Sequence, residues 1–378
     1  MSNKTFILGF AFLTIFIDTA GYQIVIPTIP IFAENIGLTE SRLGLLYSSY
    51  GIASLLLYIP FGYLVDRYGK RVFLTGGLFA LGISSISFAT SETFAGLLAS
   101  RIIQGVSASS TWAAVIPLVA GVADARKKGI SMSGIAISYS AGAIIGPALG
   151  GLGSIKFPFY VFSAFPFILA LISLAIPDNN NEIKNSAGED PLIIIKKLFL
   201  NTGLIISSIA LFAAFLAIGA MEIMIPLHLN NLNVPRIKIG GTFAIIGVLS
   251  SGFQLICGWW SDKRGRVEPI ITGIFLLAIL FPFINRIQNV YALIILLIPL
   301  SFSFSAALAP TLPFISDSIH VSNLGLAYGI YNTIFSVGLI TGSLLGTVIA
   351  EGYGWNTAII AIALVTLSSG LAILWIKR

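Results

Sequence analysis

The sequence predicts an all-α membrane protein of twelve transmembrane helices, arranged as two pseudo-symmetric six-helix bundles. Three observations carry this expectation. Hydrophobic residues make up 56% of the chain and charged residues only 10%, with a mean hydropathy of +0.96. Too little polar surface is left to cover the apolar side chains in water, so the chain requires lipid. Apolar runs of spanning length occur at residues 5–30, 42–63, 71–90, 94–121, 129–152, 157–176, 203–229, 239–260, 268–285, 290–315, 324–349 and 355–376. The chain also repeats itself, because a shift of 196 positions carries Gly62 to Gly258, Asp66 to Asp262 and Gly69 to Gly265.

The same shift takes Asn35 to Asn231, Gly44 to Gly240, Gly51 to Gly247 and Pro117 to Pro313, with no insertion between. It also takes Gly142, Gly146 and Gly150 to Gly338, Gly342 and Gly346. A backbone constrains the placement of glycine and proline more than that of other residues, so a constant shift among them argues for two structurally similar halves. Residues 1–176 and 203–378 are therefore expected to form the two bundles. The least apolar interval, 177–202, joins them as a linker with an amphipathic stretch at 191–200.

The first run follows the basic start MSNK, yet it carries Asp18, continues through Pro27 and offers no clear small-residue cleavage site. It is expected to be a retained first helix rather than a signal peptide. With both termini cytoplasmic, inner segments hold fifteen Lys and Arg residues, among them Lys4, Arg67, Lys70 and Arg71. Outer segments hold five, Arg42, Lys156, Arg236, Lys238 and Arg286. The imbalance sets that orientation, and the expected location is the plasma membrane of a prokaryote. The net charge of +6 comes from basic residues scattered between apolar runs, which topology explains better than a nucleic-acid partner does. A single cysteine, Cys257, excludes a disulfide framework and a thiol metal site. No His and Cys cluster has metal-ligand spacing, no GxxxxGK[ST] phosphate loop is present, and loops other than the linker are too short for a soluble domain. No cofactor is expected, no enzymatic activity, and no energy source held on the chain. A monomer is expected.

Four stretches carry chemistry. GYLVDRYGKR, with Gly62, Asp66, Arg67, Gly69 and Arg71, sits where the second span turns into the third. There Gly62 permits close helix approach, Gly69 permits the turn, and Asp66 pairs with backbone amides or an arginine in a contact that a moving bundle can make and break. GWWSDKRGR repeats it with Gly258, Asp262, Gly265 and Arg266. In the fourth span LLASRIIQGVSAS places Arg101 about two turns inside the membrane with Gln104 and Gly105 beside it, a costly charge that needs a partner or a water-filled cavity. In the fifth, SAGAIIGPALGG sets Gly142, Gly146 and Gly150 on one stripe for tight packing, with Gly151 following and Pro147 bending the helix.

Of fifteen acidic residues only Asp18 and Glu222 fall well inside spans. Asp18 lies fourteen residues after Lys4, about 20 Å along the first helix and near the bilayer midplane. A carboxylate there, whose charge depends on whether a cation or arginine is present, can trade a proton for cargo. The shift maps Asp18 onto Ala214 and Glu222 onto Ile26, so each acid belongs to its own half alone. Tyr22, Tyr139, Tyr328, Tyr331, Asn332 and Phe335 are candidates to line a cavity suited to an apolar cation, together with Gln104. His228 lies two turns past Glu222, near a span end, where a histidine either relays protons or sits at the interface. Trp259 and Trp260 read as interface anchors.

The paired loop stretches resemble the loop signature of the major facilitator superfamily of secondary transporters, over the whole chain. The Arg101, Gln104 and Gly105 run followed by the GPxxGG fifth span is similar to the paired signatures of proton-coupled drug antiporters in that superfamily. An acid in FLTIFIDTAGYQIVIPTIP with a Glu in AMEIMIPLHL resembles the vesicular amine transporters and their microbial relatives, although Tyr50, an Ala near Ala307, and Asn332 stand where those proteins carry a lysine and two acids. These resemblances imply a major facilitator fold with cargo bound between the bundles and exposed alternately to the two sides. They imply proton coupling by Asp18 and Glu222 with Arg101, driven by the proton gradient, and export of lipophilic, cationic small molecules. The alternatives are a proton symporter importing a sugar or other metabolite, and a membrane sensor that transports nothing.

Overall fold

The computed structural model describes residues 3–122, 128–176, 198–319 and 324–377. Within them every regular element is a helix. Residues 177–197 of the expected linker, Arg126, Lys127, His320 and Arg378 lie outside the described residues, as do the side chains of Asp66 and Tyr328. Among the described residues ten helices are long and apolar enough to cross a membrane, and two apolar helices, Ile137–Gly150 and Phe157–Ser173, are shorter. The chain is an integral membrane protein of all-α architecture.

In the first repeat α1 (Asn3–Ile24) passes through a 3-10 turn (Ile26–Thr28) into α2 (Ile29–Ile36), and α3 (Glu40–Tyr68), α4 (Lys70–Thr90), α5 (Phe94–Val122), α6 (Lys128–Gly150) and α7 (Phe157–Ser173) follow. The break after α1 falls at Pro27 and Pro30, which lack the N–H that an α-helix needs from its fourth residue on. Gly37 closes α2 in the left-handed region at φ 65°, returning its N–H to the Ala33 carbonyl. The second repeat contains α8 (Thr202–Asn231), α9 (Arg236–Arg264) and α10 (Val267–Leu280), the last ending in a 3-10 turn (Phe281–Arg286). Then come α11 (Val290–Leu308), α12 (Thr311–Ser318), α13 (Leu324–Tyr353) and α14 (Trp355–Lys377).

The 196-residue shift reaches into local geometry. Gly69 between α3 and α4 has φ 93°, and Gly265 between α9 and α10 has φ 87°, a conformation that side chains with a Cβ rarely adopt. Thr93 accepts the Gly96 N–H at the start of α5 at 3.2 Å. Its equivalent Asn289 accepts the N–H groups of Tyr291 and Ala292 at the start of α11, so both fourth spans begin on a side-chain cap.

Contacts divide the chain into two compact units. The first gathers Met1–Leu38, Ser49–Ser186 and Val234–Gly247, and the second Thr39–Ser48, Ala187–Asn233 and Val248–Arg378. Each unit thus takes the first turns of one long helix, α3 or α9, from the other repeat.

In the first unit α1 packs on α6, and α4 packs on α5 and α7. A Cβ on Gly142 or Gly146 would lie 2.7 Å from the carbonyl oxygen of Phe16 or Ala20, and one on Gly150 would fall inside that of Ile24. The glycine stripe therefore seats the α1 backbone directly, which is how helices associate where lipid removes the hydrophobic drive. Gly240 of α9 lies against the Pro147 carbonyl, and the Arg236 guanidinium donates to the Leu152 carbonyl at 2.8 Å and also to that of Gly153.

In the second unit α8 packs on α13, and α10 packs on α11 and α14. Gly338 and Gly342 meet the carbonyls of Phe212 and Leu216, and Gly346 approaches Ala220. These partners are the 196-shifted equivalents of Phe16, Ala20 and Ile24. Ser305 Oγ donates to the Ser250 carbonyl at 3.0 Å, as Ser109 donates to that of Ser54 in the first unit at 3.3 Å.

Candidate functional site

The polar cluster of the first unit is built on antiparallel α1 and α5. Gln104 Nε2 donates to the Gly21 carbonyl at 2.9 Å and joins the two helices. One turn before Gln104, Arg101 is fully buried and donates from Nη1 to Gln104 Oε1 at 2.7 Å. Its guanidinium carbon lies 4.9 Å from the centre of the Tyr22 ring and 5.0 Å from that of Tyr50 in α3. The two rings are themselves 4.7 Å apart, so the cation rests on two aromatic faces in a water-poor site, where that attraction is strongest.

Asp18 sits one turn before Tyr22 on α1 and is 4% exposed. Trp112 Nε1 donates to its Oδ2 at 2.7 Å, and Thr111 Oγ1 to its Oδ1 at 3.3 Å. Thr111 Oγ1 also lies 3.1 Å from the carbonyls of both Ser107 and Ala108. The Trp112 ring meets Tyr139 of α6 edge to face, with centroids 6.3 Å apart, and Tyr139 is exposed while Trp112 is half-buried. A carboxylate held in apolar surroundings by two donors, with an accessible aromatic pair beside one of them, is equipped to exchange a proton against a cation.

Trp112 and Thr111 did not stand out from sequence. One signal was available: Trp112 lies eleven residues after Arg101, and at 100° per residue eleven steps return to nearly the same helix face. Arg101 and Trp112 therefore look along α5 in the same direction, three turns apart.

Other expected residues are placed as follows. Glu222 is buried in α8 at 6% exposure. Tyr331 belongs to a core cluster with Leu204, Leu211 and Ile315, and its hydroxyl pairs with that of Thr311 at 2.7 Å. Asn332 is exposed, and Phe335 meets Phe215 edge to face at 4.3 Å. The ring Nε2 of His228 bonds the Ile287 carbonyl at 2.7 Å, a contact in which the nitrogen donates. Trp259 is exposed under Lys263, and Trp260 stacks on Phe302.

At the loop signatures, a Cβ on Gly62 or Gly258 would meet nothing within 4 Å. Among the described residues, the close approach expected of Gly62 is not made in this structure. Arg266 donates to Asp317 Oδ2 at 2.9 Å, to Ser261 Oγ at 3.1 Å and to Asp262. Partial burial works against its charge, but the two carboxylates outweigh it and hold the guanidinium above its usual range. Its equivalent Lys70 reaches the Pro117 carbonyl at 3.4 Å. Arg67 lies over the Tyr68 ring, and the Arg71 carbonyl accepts from Thr75 Oγ1.

Comparison with known proteins gives consistent results. The profile of the Major Facilitator Superfamily matches residues 11–284 and 243–378. The Quinolone resistance protein NorA of Staphylococcus aureus is 25% identical over 355 residues, covering 91% of this chain and 89% of NorA. An uncharacterized MFS-type transporter of Methanocaldococcus jannaschii is 24% identical, covering 88% of both chains. Among solved structures, a bacterial homolog of the human lysosomal transporter Spinster superposes with a TM-score of 0.86 at 11% identity, covering 100% of this chain and 98% of that one. The nucleoside transporter NupG gives 0.73 at 15% identity with both chains fully covered. At these identities the solved structures share the fold alone.

Proposed function

The chain belongs to the Major Facilitator Superfamily and is a membrane transporter rather than an enzyme, and on that premise we propose that it exports lipophilic, cationic small molecules in exchange for protons. The observation that carries this reading is Asp18, a carboxylate buried in the first span with a donor on each oxygen and an accessible aromatic pair next to it. Asp18 takes a proton when the site faces the acidic side and gives it up as a cation binds on the other. Arg101, buried on the same face of α5 as Trp112, supplies the positive field in which the emptied carboxylate is tolerated. Glu222 is the second protonatable group, in the other repeat. The bundles at 1–176 and 203–378 rock about the cargo, with both termini on the cytoplasmic side of a prokaryotic plasma membrane. The relation to NorA, a quinolone resistance protein by name, supports export of a drug-like cargo.

The test is transport into proteoliposomes with an acid-loaded lumen, offering tetraphenylphosphonium, a neutral drug and a sugar. Accumulation of tetraphenylphosphonium that a proton ionophore abolishes is the expected result. Uptake of the sugar alone, seen when the gradient is reversed so that protons also run inward, would replace export with symport.

A further inference from the structure

The donors around Asp18 differ in what they can do. An indole N–H only donates, whereas a threonine hydroxyl donates or accepts. An ionised carboxylate only accepts, so the observed arrangement suits it on both oxygens: Trp112 Nε1 at 2.7 Å on Oδ2 and Thr111 Oγ1 at 3.3 Å on Oδ1. A protonated Asp18 needs an acceptor for its new O–H, and Trp112 has none to offer. Thr111 has one, because its hydroxyl can turn its hydrogen to the Ser107 or Ala108 carbonyl, each 3.1 Å away. The Thr111 oxygen is then free to receive the acid proton. The shorter contact, on Oδ2, is thus specific to a group that can only favour the charge.

We propose, resting on the coupling role of Asp18 above, that Trp112 is a positioning residue that holds Asp18 in its ionised, cargo-ready form, while Thr111 receives the proton on Oδ1 in the loaded form. The Trp112 ring adds a second link. It packs on Tyr139, which is exposed, so a cation arriving over that aromatic pair meets the residue that sets the charge of Asp18. The other titratable groups around Asp18 are few. Arg101 comes from α5 and Tyr22 from α1 itself, Tyr50 and Tyr58 come from α3, and Tyr139 from α6. In α4 and α7, which also pack on α1, the ionisable groups Lys70, Arg71 and Tyr160 lie in the first turn of each helix. None of these groups is a second donor-only contact on Oδ2.

The proposal is tested by binding of tetraphenylphosphonium to the purified full-length protein over a pH series, in wild type, Trp112→Phe and Asp18→Asn. Phenylalanine keeps a six-membered ring on the Tyr139 side and removes the N–H together with the smaller ring of the indole. Losing a hydrogen bond to the charged form favours the neutral acid, so half-maximal binding should move up by about one pH unit. An unmoved midpoint in Trp112→Phe, with binding in Asp18→Asn lost, overturns the role of Trp112 and leaves the coupling acid standing. Unchanged pH-dependent binding in Asp18→Asn overturns the coupling role itself. Should Trp112→Phe fail to fold, the indole N–H resonance of Trp112 in the wild type carries the same test. It should move through the pH midpoint of binding and stay still in Asp18→Asn, and a resonance blind to pH in the wild type overturns the proposal.

Discussion

At positions related by the 196-residue shift, α6 meets α1 and α13 meets α8 through the same backbone atoms. Phe16 and Ala20 carbonyls seat Gly142 and Gly146, and those of Phe212 and Leu216 seat Gly338 and Gly342. The serine bridges Ser109 to Ser54 and Ser305 to Ser250 correspond as well. Gly77 lies against Thr111 and the Ser107 carbonyl, and Gly273 against Ala307 and the Ser303 carbonyl. The polar cluster has no such counterpart. Asp18, Thr111 and Trp112 correspond to Ala214, Ala307 and Leu308, while Arg101, Gln104, Tyr22 and Tyr50 correspond to Leu297, Leu300, Ile218 and Ile246. The helix packing thus rests on backbone contacts made twice, whereas the buried polar cluster around Asp18 and Arg101 is a set of side chains present once. The set is apolar throughout in the second repeat, as expected if a buried acid is tolerable only with its donors in place.

The largest expected effect comes from building the acid where its partners are missing. Ala214, fully buried, changed to Asp should lower stability by about 3 kcal/mol, read as thermal unfolding in detergent. Adding Ala307→Thr and Leu308→Trp should recover part of that loss, and no recovery would break the claim that the three residues work as a set. Next comes a test of the backbone seats. Gly150→Ala drives a methyl into the Ile24 carbonyl and should cost about 2 kcal/mol. The equivalent Gly346→Ala, whose Cβ would sit 3.3 Å from that of Ala220, should be tolerated. Equal losses at the two sites would show that the repeats pack more alike than their coordinates do. Tyr22→Leu removes one of two aromatic faces from Arg101 and should cost about 1 kcal/mol, whereas Ile218→Leu at the equivalent place should cost little. Asp317→Asn breaks a pair with Arg266 whose carboxylate side is 56% exposed, and should change stability by about 0.5 kcal/mol or less.

Much of the fold was legible because glycine, proline and hydropathy act locally. The twelve spans, the glycine stripe and the turn at Gly69 and Gly265 all follow from residues whose demands do not depend on a distant partner. Some span limits did not follow: the first span runs on to Ile36 through a break at Pro27, and the fourth span of the second repeat is interrupted between Leu308 and Thr311. Asp18, Arg101 and Gln104 were visible in the sequence because polar groups are rare in spans. Trp112 and Thr111 were not, because a tryptophan or threonine in a membrane helix is ordinary until the neighbour across the interface is known. Tyr331 looked like cavity lining for the same reason, and only the packing of Leu204, Leu211 and Ile315 around it shows a core residue. The exchange of the first turns of α3 and α9 between units also depends on contacts between distant parts of the chain, which no local pattern encodes.

Proton release from the purified protein on adding tetraphenylphosphonium, in weakly buffered solution with a pH dye, tests directly whether Asp18 trades a proton for a cationic cargo. Release is expected in the wild type, with most of it lost in Asp18→Asn and any remainder assigned to Glu222. Equal release from both proteins, or binding without release in the wild type, would contradict it.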